Sequence, residues 1–112
     1  LNIVEIMYSK HYKNKRKRRE RFIKKYLNGN GHMIDGFVID RGHKFGLEVH
    51  SLTATGLILI HNYSTGILCT KLIARPEQIK RYYELTGREP PLEYNNILIL
   101  AKWHEDLFYN FK

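Results

Sequence analysis

The first 28 residues contain neither Gly nor Pro, and their apolar side chains recur at the spacing of an α-helix. Two sets of apolar residues share this spacing: Ile3, Ile6 and Met7, then Phe22, Ile23, Tyr26 and Leu27. The segment between them, HYKNKRKRRER, is polar on every face, so we predict either one helix or two helices separated by a break. The Asn-Gly-Asn-Gly run at 28–31 ends this helical part, because Asn and Gly tolerate a positive φ angle.

Residues 36–74 follow the shorter period of β-strands. Leu47 and Val49 alternate with Glu48 and His50, which predicts that the first pair faces the core and the second pair faces away from it. The short connections, including a hairpin loop at 62–66, predict a four-stranded antiparallel meander. We expect its buried face to include Val49, Leu59 and Cys69.

After the last strand the period changes to that of helices. Pro76 suits the first turn of a helix and Glu77 suits its N-terminus, so we predict a helix that runs to about residue 85. Pro90 and Pro91 separate it from a last helix over about 92–109. The fold class is therefore α+β, and residues 1–112 form one domain: a basic helical segment (1–28), an antiparallel sheet (36–74) and two C-terminal helices (75–112).

The net charge of +8 is confined to the first quarter of the chain. Residues 1–30 hold ten of the nineteen Lys and Arg side chains and only two of the eleven Asp and Glu side chains. A localised basic block is typical of a protein that binds a polyanion, and an acidic membrane surface is the alternative. We expect contacts to nucleic-acid phosphates from these cations: Lys15, Arg16, Lys17, Arg18, Arg19, Lys24, Lys80 and Arg81.

Cys69 is the only cysteine, which excludes an internal disulfide and a cysteine-based zinc cage. No apolar stretch approaches 18 residues, and the N-terminus lacks the apolar core of a signal peptide. We therefore expect a cytoplasmic protein without a membrane partner. The histidines show no metal-ligand spacing and the acidic residues are scattered, so we predict no metal and no other cofactor.

The densest set of reactive side chains is the segment RGHKFGLEVHS at 41–51. His43 and Lys44 lie in a predicted loop, and His50 follows on the next strand, in phase with Glu48. Such residues suit metal-free RNA cleavage, in which a base takes the proton of the ribose 2′-OH and an acid protonates the leaving 5′-oxygen. The alternative is that the loop residues are only solvent-exposed and that Lys44 and Glu48 form a weak surface pair.

A second set lies in TKLIARPEQIKRYY at 70–83. Lys71 closes a predicted strand, and Arg75 stands at the N-terminus of the following helix, where free N–H groups and the helix dipole favour a phosphate. We predict that His43, His50 and Arg75 converge on one phosphate, with Arg75 stabilising its charge. Solvated positions on a helix that packs through Ile79 and Tyr83 are the alternative interpretation.

The stretch GHMIDGFVIDRGHKFGLEVHSLTATGLILIHNYSTGILCTKLIARPEQIKRYY, residues 31–83, resembles the small phage and bacterial nuclease domains of the barnase, EndoU, colicin E5/D and RelE group. The resemblance implies one or two N-terminal helices, a four-stranded antiparallel sheet and metal-independent cleavage of tRNA or mRNA. It also implies a toxin-like hydrolase with a possible immunity or antitoxin partner in a bacterial host. The catalytic residues it implies are His43, His50 and Arg75, with Lys44, Lys71 and Thr53 nearby. The alternative function is a phage-encoded, non-catalytic protein that binds nucleic acid or inhibits an enzyme that does.

Overall fold

A four-stranded antiparallel sheet forms the centre of the fold, and its strands are neighbours in chain order. The strands are β1 (Met33–Asp40), β2 (Leu47–Thr53), β3 (Leu57–Asn62) and β4 (Leu68–Ile73). The computed structural model describes residues 17–27, 29, 31–44 and 46–110. The predicted meander is confirmed, and so is the hairpin between β3 and β4.

Helices precede and follow the sheet, which confirms the α+β class. Helix α1 covers residues 17–27, as an α-helix to residue 22 and as a π-helix over Ile23–Leu27. Helix α2 is Pro76–Thr86, and helix α3 is Tyr94–His104, which continues as a π-helical segment over Glu105–Asn110. The prediction of helix for residues 1–16, including Lys15 and Arg16, lies outside the described residues.

Both ends of α2 are capped, and Pro76 lies in the first turn as predicted. The Gln78 side-chain oxygen accepts a hydrogen bond of 2.9 Å from the Arg75 N–H. Gly87 ends the helix with φ at 65°, and its N–H donates to the Tyr83 carbonyl. These caps fix the direction in which α2 leaves β4.

Apolar side chains cover both faces of the sheet, so the molecule has three layers. On one face α2 and α3 pack against β1, β2 and β3; this first cluster includes Phe37, Leu52, Ile58, Ile60, Ala74, Ile79, Tyr83, Ile97 and Ala101. On the other face α1 and the C-terminal π-helical segment pack against β3 and β4; this second cluster includes Phe22, Ile23, Leu27, Leu57, Leu59, Ile73 and Phe108. Strand β3 contributes to both clusters because successive side chains point to opposite faces.

The prediction of which side of β2 faces the core is wrong. His50 is only 6% exposed, whereas Leu47 is 41% exposed and Val49 is half-buried. His50 lies opposite Phe37 and Ile60, on the face that α2 covers. Ser51 and Thr53, on the same face as Val49, are buried as well, so burial increases towards the end of β2 on both faces.

Leu59 is buried as predicted, but Cys69 is exposed, and its prediction as a core residue is wrong. The pairing of β3 with β4 shifts between Ile60 and His61, which face Thr70 and Leu68 respectively. Cys69 is the extra residue of this β-bulge, so the regular alternation does not hold there.

Within the described residues, no helix is long and apolar enough to cross a membrane.

Candidate functional site

His50 is the centre of a hydrogen-bonded network between the sheet and α2. Its Nε2 lies 2.9 Å from Glu48 Oε1, and its Nδ1 lies 2.5 Å from the hydroxyl of Tyr82. Residues 48 and 50 share one face of β2, and α2 carries Tyr82 over that face. The network therefore joins side chains that stand 32 positions apart in the sequence.

The partners of His50 determine the direction of its hydrogen bonds. The Glu48 carboxylate only accepts, so Nε2 carries the proton and donates it. Nδ1 then accepts a hydrogen bond from the Tyr82 hydroxyl. The three side chains form a chain of the order Tyr–His–Glu, which is the arrangement of a nucleophile or acid–base group, a histidine and an orienting carboxylate. Chemically, such a chain can take a proton at the phenol oxygen and store it on the imidazole.

Tyr82 is the member of this chain that α2 contributes, and its side chain is half-buried. Its ring stacks on Phe37 with the centroids 5.0 Å apart, which fixes the phenol beside His50. Burial and the nearby Glu48 charge raise the pKa of Tyr82 to about 12, against a lowering by Arg41. The phenol therefore keeps its proton at neutral pH and is available as the donor to His50.

Arg41 places a cation at the other end of the network. Its guanidinium lies 3.4 Å from Glu48 Oε1, the oxygen that also accepts from His50. Arg41 is exposed, whereas Glu48 is half-buried. The site thus places one exposed cation and one half-buried phenol beside a mostly buried His–Glu pair.

His43, His50 and Arg75 do not meet. His43 is exposed in the loop between β1 and β2, whereas Arg75 follows β4 at the end where the Ala74 N–H donates to the Gly56 carbonyl. These two places lie at opposite ends of β2, whose seven residues span about 20 Å. The prediction that the three side chains touch one phosphate is therefore wrong, because the loop does not fold back over the strand.

The residues predicted to lie near His43, His50 and Arg75 do not lie together either. Lys44 is exposed in the same loop as His43. Thr53 is 0% exposed, and its hydroxyl accepts a hydrogen bond of 3.1 Å from the Leu57 N–H across the β2–β3 turn. A substrate cannot reach Thr53, so its assignment to the site is wrong. The hydroxyl of Thr53 instead serves the β2–β3 turn, where it accepts the hydrogen bond from Leu57.

Lys71 belongs to a basic cluster at the edge of the sheet, together with Arg18, Arg19 and Arg75. Arg19 donates to the Lys71 carbonyl at 2.6 Å and to the Thr70 hydroxyl at 3.3 Å. The Lys71 ammonium lies 3.9 Å from Glu20. Arg19 thus fastens α1 to the open edge of β4.

Tyr109 lies at the centre of the same cluster. Its hydroxyl donates to the Ile73 carbonyl at 2.7 Å, and the Arg75 guanidinium lies 4.1 Å from the centre of its ring. Arg18 lies over the ring of Phe108 at 4.3 Å and donates to the Phe108 carbonyl. Burial raises the pKa of Tyr109, while Arg19, Arg75 and Arg18 lower it. These arginines hold the C-terminal segment against the sheet, and each of these contacts also serves the fold.

The other predicted phosphate contacts are exposed. Lys17 and Lys24 face solvent on α1, and Lys80 and Arg81 face solvent on α2. Lys80 lies 4.0 Å from Glu77 on the same helix. In the part of the chain that the structure describes, no three His, Cys, Asp or Glu side chains cluster as ligands for a metal ion.

Tyr82, Glu48 and Arg41 are the members of the network that the sequence reasoning did not assign to the site. The alternation of β2 placed Glu48 on the same face as His50, and the helical period after Pro76 placed Tyr82 on a helix. Neither signal shows that this face and the helix meet, because that depends on how α2 crosses the sheet.

Comparison with protein-family models, with curated proteins and with solved structures found no match.

Proposed function

We propose that this chain is a metal-independent RNA-cleaving nuclease in which Tyr82 contacts the reacting ribose. The observation that carries the proposal is the His50 ring, which bonds the Tyr82 hydroxyl at 2.5 Å and Glu48 at 2.9 Å. Because both ring nitrogens are engaged and the ring is buried, His50 acts through Tyr82 rather than on RNA directly.

In this mechanism the ribose 2′-oxygen attacks the phosphorus and the 5′-oxygen leaves. The proton of the 2′-OH passes to the Tyr82 oxygen while the phenolic proton passes to His50 Nδ1, and Glu48 stabilises the imidazolium that results. The leaving 5′-oxygen takes a proton from water, and the imidazolium of His50 returns its proton through Tyr82 to the hydroxide that this water becomes. The products are a 2′,3′-cyclic phosphate and a 5′-hydroxyl. Arg41, whose guanidinium lies 3.4 Å from Glu48, is the cation of this network and would stabilise the developing negative charge.

The resemblance noted in the sequence supports the same proposal. The stretch at 31–83 that resembles the barnase, EndoU, colicin E5/D and RelE group contains all four residues of the network. It favours tRNA or mRNA as the substrate and an immunity or antitoxin protein as a partner. The basic residues of α1 suit the phosphate backbone of either RNA.

The direct test is incubation of the protein with total RNA in EDTA, followed by analysis of the fragment ends. We expect 2′,3′-cyclic phosphate and 5′-hydroxyl ends. Changing Tyr82→Phe removes the reacting hydroxyl but keeps the ring that stacks on Phe37, and it is expected to slow cleavage by about 10²–10⁴.

Tyr83→Phe is the matched control, because it removes a hydroxyl from the next residue of the same helix. The Tyr83 hydroxyl donates to Asp35 at 3.1 Å and has no place in the network of His50. Tyr83→Phe is expected to cleave like the parent protein. Equal cleavage by Tyr82→Phe and the parent protein would remove Tyr82 from the mechanism.

The second candidate function is a non-catalytic nucleic-acid-binding protein. The burial of His50 and the separation of His43 from Arg75 favour it, because neither affects the exposed cations of α1. RNA binding without any cleavage in the same assay would decide for this function and against the nuclease.

A further inference from the structure

Two large aromatic side chains stay exposed where α1 meets the end of α3. Tyr26 is 41% exposed and Trp103 is 53% exposed, with their ring centroids 6.5 Å apart at an angle of 81°. We call these two residues the aromatic pair. The neighbouring rings in the same seam, Phe22 and Phe108, are buried in the second cluster. The aromatic pair is thus the part of the seam that the protein leaves open to solvent.

The two helical segments run antiparallel along this seam. Arg18 contacts Phe108, Phe22 contacts His104, and Tyr26 contacts Trp103, so the contacts proceed in opposite chain directions. The seam holds the aromatic pair at a fixed spacing at one end of α1. A rigid pair of rings loses little conformational entropy when a flat ligand binds.

Exposed cations of α1 lie along the helix up to the aromatic pair. Lys17, Arg21, Lys24 and Lys25 are all exposed, and we call these four residues the basic stripe. Among the described residues, no ion pair engages any of the four. The Lys25 ammonium lies 5.2 Å from the centre of the Tyr26 ring, so the basic stripe and the aromatic pair are in direct contact.

The nearest acidic groups on α3 do not cancel this charge. Glu105 and Asp106 follow Trp103 in the chain, and both carboxylates lie within 3.4 Å of the Lys102 ammonium. Lys102 therefore neutralises much of their charge locally. The surface that remains is aromatic and positively charged.

We propose that the aromatic pair stacks on unpaired bases of the RNA whose phosphates follow the basic stripe. Every nucleobase offers a flat apolar face, and a strand of such bases carries one negative charge per nucleotide, which matches rings flanked by lysines. A duplex hides these faces within its own stack, so the ligand is single-stranded. The inference rests on the proposed function only in taking RNA as the ligand, since the site described above need not act for stacking to occur.

Trp103 is the only tryptophan in the chain, so its fluorescence reports on this surface alone. The ligand for the test is a short oligouridine with 2′-O-methyl groups, which the proposed mechanism cannot cleave. We expect saturable quenching of Trp103. We also expect the affinity for a labelled oligomer, measured by anisotropy, to fall about 5- to 150-fold in Trp103→Ala and in Tyr26→Ala.

Two variants separate stacking from loss of folding. Trp103→Phe keeps an aromatic face and is expected to keep most of the affinity. Tyr63→Ala removes an equally exposed aromatic side chain, 56% exposed, from the β3–β4 hairpin, and is expected to bind like the parent protein. An abasic strand of the same length is expected to bind the parent protein and Trp103→Ala equally well.

Unchanged affinity in Trp103→Ala, or binding of a duplex as tight as that of the single strand, would overturn the proposal. Comparing the affinities of the 2′-O-methyl and deoxy strands distinguishes recognition of RNA from recognition of single-stranded DNA. Quenching without cleavage of natural RNA would leave the stacking site standing and the nuclease refuted. Cleavage without quenching would leave the nuclease standing and refute the stacking site.

Discussion

At the scale of single residues, two buried histidines illustrate different ways of accommodating a polar ring. His50 satisfies both ring nitrogens, through Tyr82 and Glu48. His104 is also buried, yet its Nδ1 has no hydrogen-bond partner, and it lies edge-on to Phe22 and 3.5 Å from where a Cβ of Gly56 would stand. An unsatisfied buried group costs roughly 1–3 kcal/mol, so His104 is a weak point of the fold.

Because His104 is buried, we predict that the folded protein loses stability in acid. Burial lowers the pKa of His104 below its ordinary value of 6.5, so the unfolded chain binds a proton more readily than the folded protein does. Its contribution to stability is therefore complete above pH 6.5 and is lost progressively as the pH falls below that value. Urea unfolding of the parent protein and of His104→Leu, compared at pH 7.5 and pH 5, measures the effect. The decrease between the two pH values is expected to be smaller in the variant, and an equal decrease would contradict the prediction.

At the scale of elements, α1 has cations of two kinds. Arg18 and Arg19 reach inward and bond the carbonyl groups of Phe108 and Lys71. The basic stripe of Lys17, Arg21, Lys24 and Lys25 faces solvent. The described cations of α1 therefore divide into two that bond the rest of the fold and four that face solvent.

This division gives a prediction for RNA binding. Changing all four residues of the basic stripe to Gln is expected to flatten the dependence of log K on log salt by about 3, because each phosphate contact to a single strand contributes about 0.7. The urea midpoint of this variant is expected to stay close to that of the parent. Arg19→Gln is the control: it is expected to lower the urea midpoint, since it removes the bonds to Thr70 and Lys71. An unchanged salt slope in the four-site variant would exclude the basic stripe from the interface.

At the scale of the whole molecule, the two apolar clusters share one sheet. Ile58 and Ile60 belong to the first cluster, while Leu57 and Leu59 on the same strand belong to the second. Loosening either cluster therefore disturbs β3 and, through it, the other cluster. We expect the folded state to be lost in a single cooperative transition.

A pair of core variants tests this coupling. Ile97→Ala in the first cluster is expected to cost about 2–5 kcal/mol, and Phe108→Ala in the second about 3–5 kcal/mol. In both variants the unfolding curves from Trp103 fluorescence and from far-ultraviolet circular dichroism are expected to coincide at a lower urea midpoint. Separate curves in Phe108→Ala would show that the second cluster unfolds independently.

Local patterns in the sequence determined the elements and their order. The alternation and the short loops of residues 36–74 predicted the meander because neighbouring strands joined by tight turns pair antiparallel. Pro76 and Gly87 marked the ends of α2 because their backbone preferences are intrinsic to the residues. The cations of α1 likewise predicted a basic surface, since charge of this density stays in contact with solvent.

The tertiary structure decided which side chains of β2 are buried and which side chains meet. The alternation of Leu47, Glu48, Val49 and His50 offers two faces, and α2 covers the one that carries His50 because Phe37 and Ile60 lie there. The bulge at Cys69 and the buried hydroxyl of Thr53 depend on the pairing of strands and on the β2–β3 turn. Tyr82 reaches His50 across 32 residues because α2 crosses the sheet. Contacts over such separations depend on how whole elements pack, and periodicity within one element carries no information about that.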